Sequence, residues 1–125
     1  MRILADSNMF IDFWRKPTQD IIDIFSHNEI VICGVIRSEL MHGAKSETDL
    51  LRISDVPDEF EEVGFDQSDW KLLGELLYKL RIKGITVPLS DAIIALLAVK
   101  NHIPVWTQDH HFARMQLVIG DLQLL

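Results

Sequence analysis

Cysteine is almost missing from this chain. Cys33 stands alone among 125 residues, so no internal disulfide can form and nothing points to an oxidising compartment. It sits in the apolar run Ile30-Val31-Ile32-Cys33 and reads as a buried small hydrophobe. Long apolar runs are missing too. The longest, Ala92 to Val99, falls far short of the roughly 20 residues that a membrane helix needs. The opening stretch MRILADSNMFIDFW is interrupted by Asp6 and Asp12, and no small-residue cleavage site follows, so a signal peptide is not expected. These absences predict a cytoplasmic protein without a membrane partner. No repeat of 20–50 residues, no low-complexity linker and no His/Cys spacing suited to zinc is present.

Basic side chains are outnumbered. Twelve Lys and Arg face 19 Asp and Glu, a net charge of −7, which weighs against tight non-specific binding of nucleic acid. The excess is local. Asp55, Asp58, Glu59, Glu61 and Glu62 supply five acids in one short segment that holds no base. Without them the chain is near balance, and a local phosphate site stays open.

At this length a single domain over residues 1–125, with a sizeable core, is expected. Strand-like and helix-like segments alternate. Arg2 to Ala5 is a β-prone run, and Ile30 to Cys33 has the continuous apolar character of a strand buried on both faces. Phe60 to Phe65, Ile103 to Thr107 and Leu122 to Leu125 complete the strand candidates. Helices are predicted over residues 8–15, 18–27, 35–42 (with Gly43 as C-cap), 47–56, 68–83, 90–102 and 109–115. In the 68–83 helix the expected core stripe is Trp70, Leu73, Leu77 and Leu80, with Leu76 beside them, and Gly84 ends it. Ser90 to His102 is apolar nearly all round and should be buried. The pattern predicts a three-layer α/β/α sandwich with a mainly parallel sheet of about five strands.

In such sheets ligands bind beyond the carboxyl ends of the strands. Asp6 follows the first strand directly, and Asp109 follows Ile103–Thr107. Asp91 opens the Ser90 helix, and Glu39 lies about one turn into the helix after Ile30–Cys33. Taken singly, Asp6 and Asp109 could be N-caps, Asp91 a dipole-favoured helix start and Glu39 a solvated helix residue. Together they place four carboxylates at one sheet edge. Clustered carboxylates repel one another unless a cation fills the cluster. Oxygen ligands suit magnesium or manganese better than zinc, and such an ion suits phosphodiester hydrolysis.

Four stretches carry a resemblance. ILADSNMFID (Ile3 to Asp12), IRSELMHGA (Ile36 to Ala44), PLSDAIIALLA (Pro88 to Ala98) and VWTQDHHF (Val105 to Phe112) resemble, in order, the four motifs of PIN-domain nucleases, and the size is similar to that of VapC-like toxins. The resemblance implies a Mg2+- or Mn2+-dependent endoribonuclease. Asp6 and Asp91 would be the principal metal ligands, and Glu39 and Asp109 the remaining direct or water-mediated ones. Asn8 and Thr107 match supporting polar positions. A homodimer, an RNA substrate and a cognate antitoxin protein are also implied. Ser7 stands where Thr is common, and His111 where many relatives carry a further acid or polar residue.

His110 and His111 could act as a proton shuttle or touch phosphate, but they read first as half-exposed residues at a helix start. Arg15-Lys16 and Lys79-Arg81-Lys83 are candidate phosphate contacts, the latter also explained by a helix C-terminus. Phe10, Phe13 and Trp14 could stack on a base or receive an antitoxin, though core or dimer packing accounts for them better. A phospho-receiver domain shares the length, the parallel sheet and the magnesium position. It would need paired acids after the first strand and a lysine after a late one, and Asp6-Ser7 and Thr107-Gln108-Asp109 supply neither. A non-catalytic RNA- or protein-binding module on the same fold is the other alternative.

Overall fold

A computed structural model describes the backbone of residues 1–125 and the side chains of all of them except Val56 and Pro57. The chain runs β1 (Arg2–Ala5), α1 (Ser7–Arg15), α2 (Gln19–His27), β2 (Glu29–Cys33), α3 (Gly34–His42) and α4 (Glu47–Asp55). After a 3-10 turn (Val56–Glu59) come β3 (Glu61–Val63), α5 (Asp69–Ile82), α6 (Leu89–Asn101), β4 (Val105–Trp106) and α7 (His110–Met115). The strands form one sheet in the order β3-β2-β1-β4, every neighbouring pair parallel.

The central strands are apolar on both sides because both faces are covered by helices. Ile3, Leu4, Ala5, Val31, Ile32 and Cys33 are fully buried. Small residues at Ala92, Ala95 and Ala98, also buried, let α6 lie close to its neighbours. The α/β/α expectation holds, with one adjustment at the sheet edge. The Leu122–Leu125 segment pairs with β4 through a single parallel bridge, Val105 to Leu124. Val105 N–H donates to Gln123 O, and Leu125 N–H donates to Val105 O, each at 2.9 Å. The sheet therefore has four strands and a one-residue fifth, since β4 itself spans only two residues and offers no longer partner.

Other expectations are trimmed rather than overturned. The Phe60–Phe65 candidate contracts to β3, and the 47–56 helix stops at Asp55 before tightening into the 3-10 turn. Gly43 does cap α3, but with φ −78°, a conformation that does not require glycine. Gly84 does require it: at φ +73° it closes α5 through Ile85 N–H to Leu80 O at 2.9 Å and Gly84 N–H to Arg81 O at 3.0 Å, the two bonds of a left-handed helix stop.

One core assignment fails. Trp70 is 54% exposed and meets Phe65 edge-on at 4.9 Å between ring centroids. The buried stripe of α5 is Leu73, Leu76 and Leu80, with Leu77 partly covered. Trp70 lies in the first turn, where α5 has only begun to pack.

Phe10 is buried and contacts Trp14, Phe25 and Phe60, while Phe25 also meets Phe13 and Trp106. These aromatics join α1 and α2 to the sheet, so their first role is packing. The five-acid segment is partly neutralised: Arg2 pairs with Glu61 at 2.6 Å, and Arg37 with Asp58 at 2.9 Å and Glu62 at 3.1 Å. Exposed pairs of this kind contribute about 0–1 kcal/mol each. Among the described residues, no helix is long and apolar enough to cross a membrane.

Candidate functional site

Asp6 leaves β1 and caps α1 in the extended conformation, φ −66° and ψ 156°. Its Oδ1 accepts Ser7 N–H at 2.8 Å, and its Oδ2 accepts the Thr107 hydroxyl at 2.8 Å. Because β1 and β4 are parallel neighbours, the residues just past their ends are adjacent: Asp6 N–H donates to Trp106 O at 2.9 Å. Thr107 therefore meets Asp6 by strand pairing.

The chain then passes from Thr107 to Asp109. Asp109 N–H donates to Thr107 Oγ1 at 2.9 Å, and Asp109 Oδ1 accepts His111 N–H at 3.0 Å as the N-cap of α7. Phe112 and Met115, both fully buried, anchor that short helix. Asp91, also buried, comes from the first turn of α6. Its Oδ2 lies 2.8 Å from His111 Nδ1, and the same nitrogen is 2.9 Å from Asp109 Oδ1. Glu39 arrives on α3 as the exposed member.

The electrostatics link all four acids. Burial pushes the Asp6 carboxyl above its ordinary value and the charge of Asp109 adds to the rise, against the bonds from Thr107 and Ser7. Burial also raises Asp91, with Asp109 and Asp6 adding to it and the His111 bond opposing. Glu39 is raised by desolvation and then by the charges of Asp6 and Asp91. Carboxylates that hold one another up in this way are short of positive charge. The donor set is oxygen-rich with one imidazole nitrogen, which fits a hard or borderline divalent cation.

Among the described residues, Asp91, Asp109 and His111 offer possible ligand atoms that all lie within 4.8 Å of one another. Asp6 and Glu39 border this group. The Thr107 hydroxyl is bonded to both Asp6 and the Asp109 N–H. Asn8 is exposed on the first turn of α1, and among the described residues its side chain makes no hydrogen bond. His110 is exposed. His111, which reads in the sequence as a half-exposed helix-start residue, is brought between two of the acids. The available signal was a histidine two positions after an acid at a helix start, where the cap bond turns its side chain back toward that acid.

A cavity lined by Met1, Arg2, His102, Pro104 and Leu125 lies at the amino ends of β1 and β4, the opposite edge from the acids. None of the four acids lines it.

Residues 3–117 match the family profile described as the PIN domain. The chain belongs to the PIN-domain family. Ribonuclease VapC4 of Mycobacterium tuberculosis is 31% identical to this PIN domain, over an alignment covering 91% of each chain. The same fold occurs in the DNA-bound VapBC structure from Salmonella typhimurium, at 23% identity and TM-score 0.82, covering 100% of this chain and 97% of that one. VapBC-1 from nontypeable Haemophilus influenzae is 21% identical with the same TM-score and the same coverage. Membership of this family sets the phospho-receiver alternative aside.

Proposed function

We propose that this PIN domain is a metal-dependent endoribonuclease and the toxin of a toxin–antitoxin pair. The observation that carries the reading is the gathering of Asp6, Asp91 and Asp109, with Glu39 beside them, at the carboxyl edge of the sheet, where burial and then neighbouring carboxylate charge hold the Asp6, Asp91 and Glu39 carboxyls above their ordinary values. Similarity to Ribonuclease VapC4 supports RNA as the substrate. The VapBC assemblies that share the fold support a cognate antitoxin as partner, and a homodimer is part of the same reading.

Asp6, Asp91 and Asp109 would hold Mg2+ or Mn2+, with Glu39 as a direct or water-mediated ligand. When bound, such an ion supplies charge neutralisation at a phosphodiester and acidifies a water for attack. The chain's own groups orient the acids. The Thr107 hydroxyl and Ser7 N–H fix both oxygens of Asp6, and the α7 cap fixes Asp109. Arg15 and Lys45 line one groove beside α3 and would meet the RNA backbone, while Arg52 in the same groove is paired with Asp49 at 2.6 Å.

The deciding experiment is cleavage of mixed cellular RNA by the purified protein with Mg2+ or Mn2+, with EDTA, and with Asp91→Asn. Discrete cuts that need both metal and Asp91 are expected. Cleavage that is unaffected by EDTA, or by a folded Asp91→Asn variant, would refute the reading; a folded protein that binds RNA and never cuts it would point to a non-catalytic module.

A further inference from the structure

His111 stands where the family resemblance calls for a further acid or polar group, and in this chain it does not point away. Its Nδ1 lies 2.8 Å from Asp91 Oδ2 and 2.9 Å from Asp109 Oδ1. Around a six-coordinate divalent ion with ligand distances of about 2.1 Å, adjacent ligand atoms sit about 3.0 Å apart. The imidazole nitrogen is thus already at the spacing of a neighbouring ligand atom from each carboxylate.

That placement is built by the backbone. Asp109 caps α7 and accepts His111 N–H, which fixes the start of the helix. Phe112 anchors the next position in the core. Asp91 approaches from a separate helix, α6. Without a cation, Nδ1–H donates to Asp91 Oδ2; a bound cation takes the place of that proton, and the ring, 34% exposed, then carries its proton on Nε2 with water as partner while Nδ1 offers its lone pair. His110, one residue earlier, is exposed and lies in no such group.

We infer that His111 Nδ1 is a ligand of the divalent cation held by Asp91 and Asp109, and that it biases this PIN domain toward Mn2+ over Mg2+. The inference rests on the metal-dependent reading above. Its chemistry is that of ligand preference. Mg2+ is a hard ion served by carboxylate and water oxygens, whereas imidazole suits transition ions. Replacing one oxygen donor by nitrogen therefore costs Mg2+ more than Mn2+.

The test is pulsed EPR of Mn2+ bound to the full-length protein, together with calorimetric titration of Mn2+ and Mg2+. The wild-type spectrum is expected to show nitrogen-14 modulation from one imidazole. His110→Ala should retain it and His111→Asp should lose it while still binding Mn2+. The preference for Mn2+ over Mg2+ should fall by about 10-fold or more in His111→Asp, the scale of change typical for groups that shape a metal site. Mn2+ bound to the wild type without nitrogen modulation overturns the inference and leaves the nuclease reading intact if RNA is still cut. Modulation that persists in His111→Asp overturns it as well. Failure of the wild type to bind any divalent ion sinks both.

Discussion

The Thr107 hydroxyl donates to Asp6 Oδ2 at 2.8 Å across 101 residues of sequence. Thr107 also accepts Asp109 N–H, so one side chain couples two acids of the site. Removing the hydroxyl while keeping the shape frees Asp6 Oδ2 and leaves the Asp109 N–H without its acceptor. Thr107→Val is expected to lower metal affinity and cleavage by about 10- to 100-fold, as for other partners that orient metal ligands. Thr107→Ser should restore most of it. Mn2+ titration and RNA cleavage by both variants check this.

Mutual repulsion among the acids predicts opposite effects of one substitution with and without metal. Asp6→Asn should raise the melting temperature of the metal-free protein at neutral pH, because a charge that Asp6 shares with Glu39 and Asp109 is removed. Adding Mn2+ should stabilise the wild type more than the variant. Binding to the native state alone gives about 2.7 kcal/mol at a hundredfold excess over Kd. Thermal melts with EDTA and with millimolar Mn2+ measure both halves. A wild type indifferent to metal would contradict the assignment.

Away from the site, Lys100 Nζ reaches Asp69 Oδ2 at 2.6 Å and Asp66 Oδ2 at 2.9 Å. The Lys100 bond and then the Asp66 N–H hold the Asp69 carboxyl below its ordinary value of 3.8. A lowered carboxyl contributes stability that is fully present above 3.8 and is lost as pH falls through the lower, folded value. Lys100 is raised above 10.5 by the same contacts, so its contribution is present below 10.5 and is lost above that. Lys100→Met should therefore be less stable than wild type at neutral pH, with the gap closing at acid extremes. Denaturant melts at pH 7 and near pH 3 check the sign.

Phe112 links the core to the chemistry. It is fully buried on the same short helix as His111. Phe112→Ala is expected to cost about 3–5 kcal/mol, the usual loss for a buried aromatic, as read from urea unfolding. Phe112→Leu should cost less and keep metal binding.

The alternation of strands and helices, the parallel sheet and the edge at which the acids lie are legible in the residues alone. Those features follow from local periodicity and from chain order. Apolar runs such as Ile30–Cys33 had to be buried on both faces, and residues directly after parallel strands share one edge whatever the details. Strand lengths were not legible, because Ile103–Thr107 and Leu122–Leu125 are apolar enough for full strands, while the neighbours available limit them to a two-residue strand and a single bridge. The exposure of Trp70 has a related reason. Its helical spacing was right, but burial depends on what packs opposite that turn. The contact of His111 with Asp91 joins two helices 20 residues apart in sequence: the Asp109 cap is a local signal, but the approach of α6 to it is decided by packing.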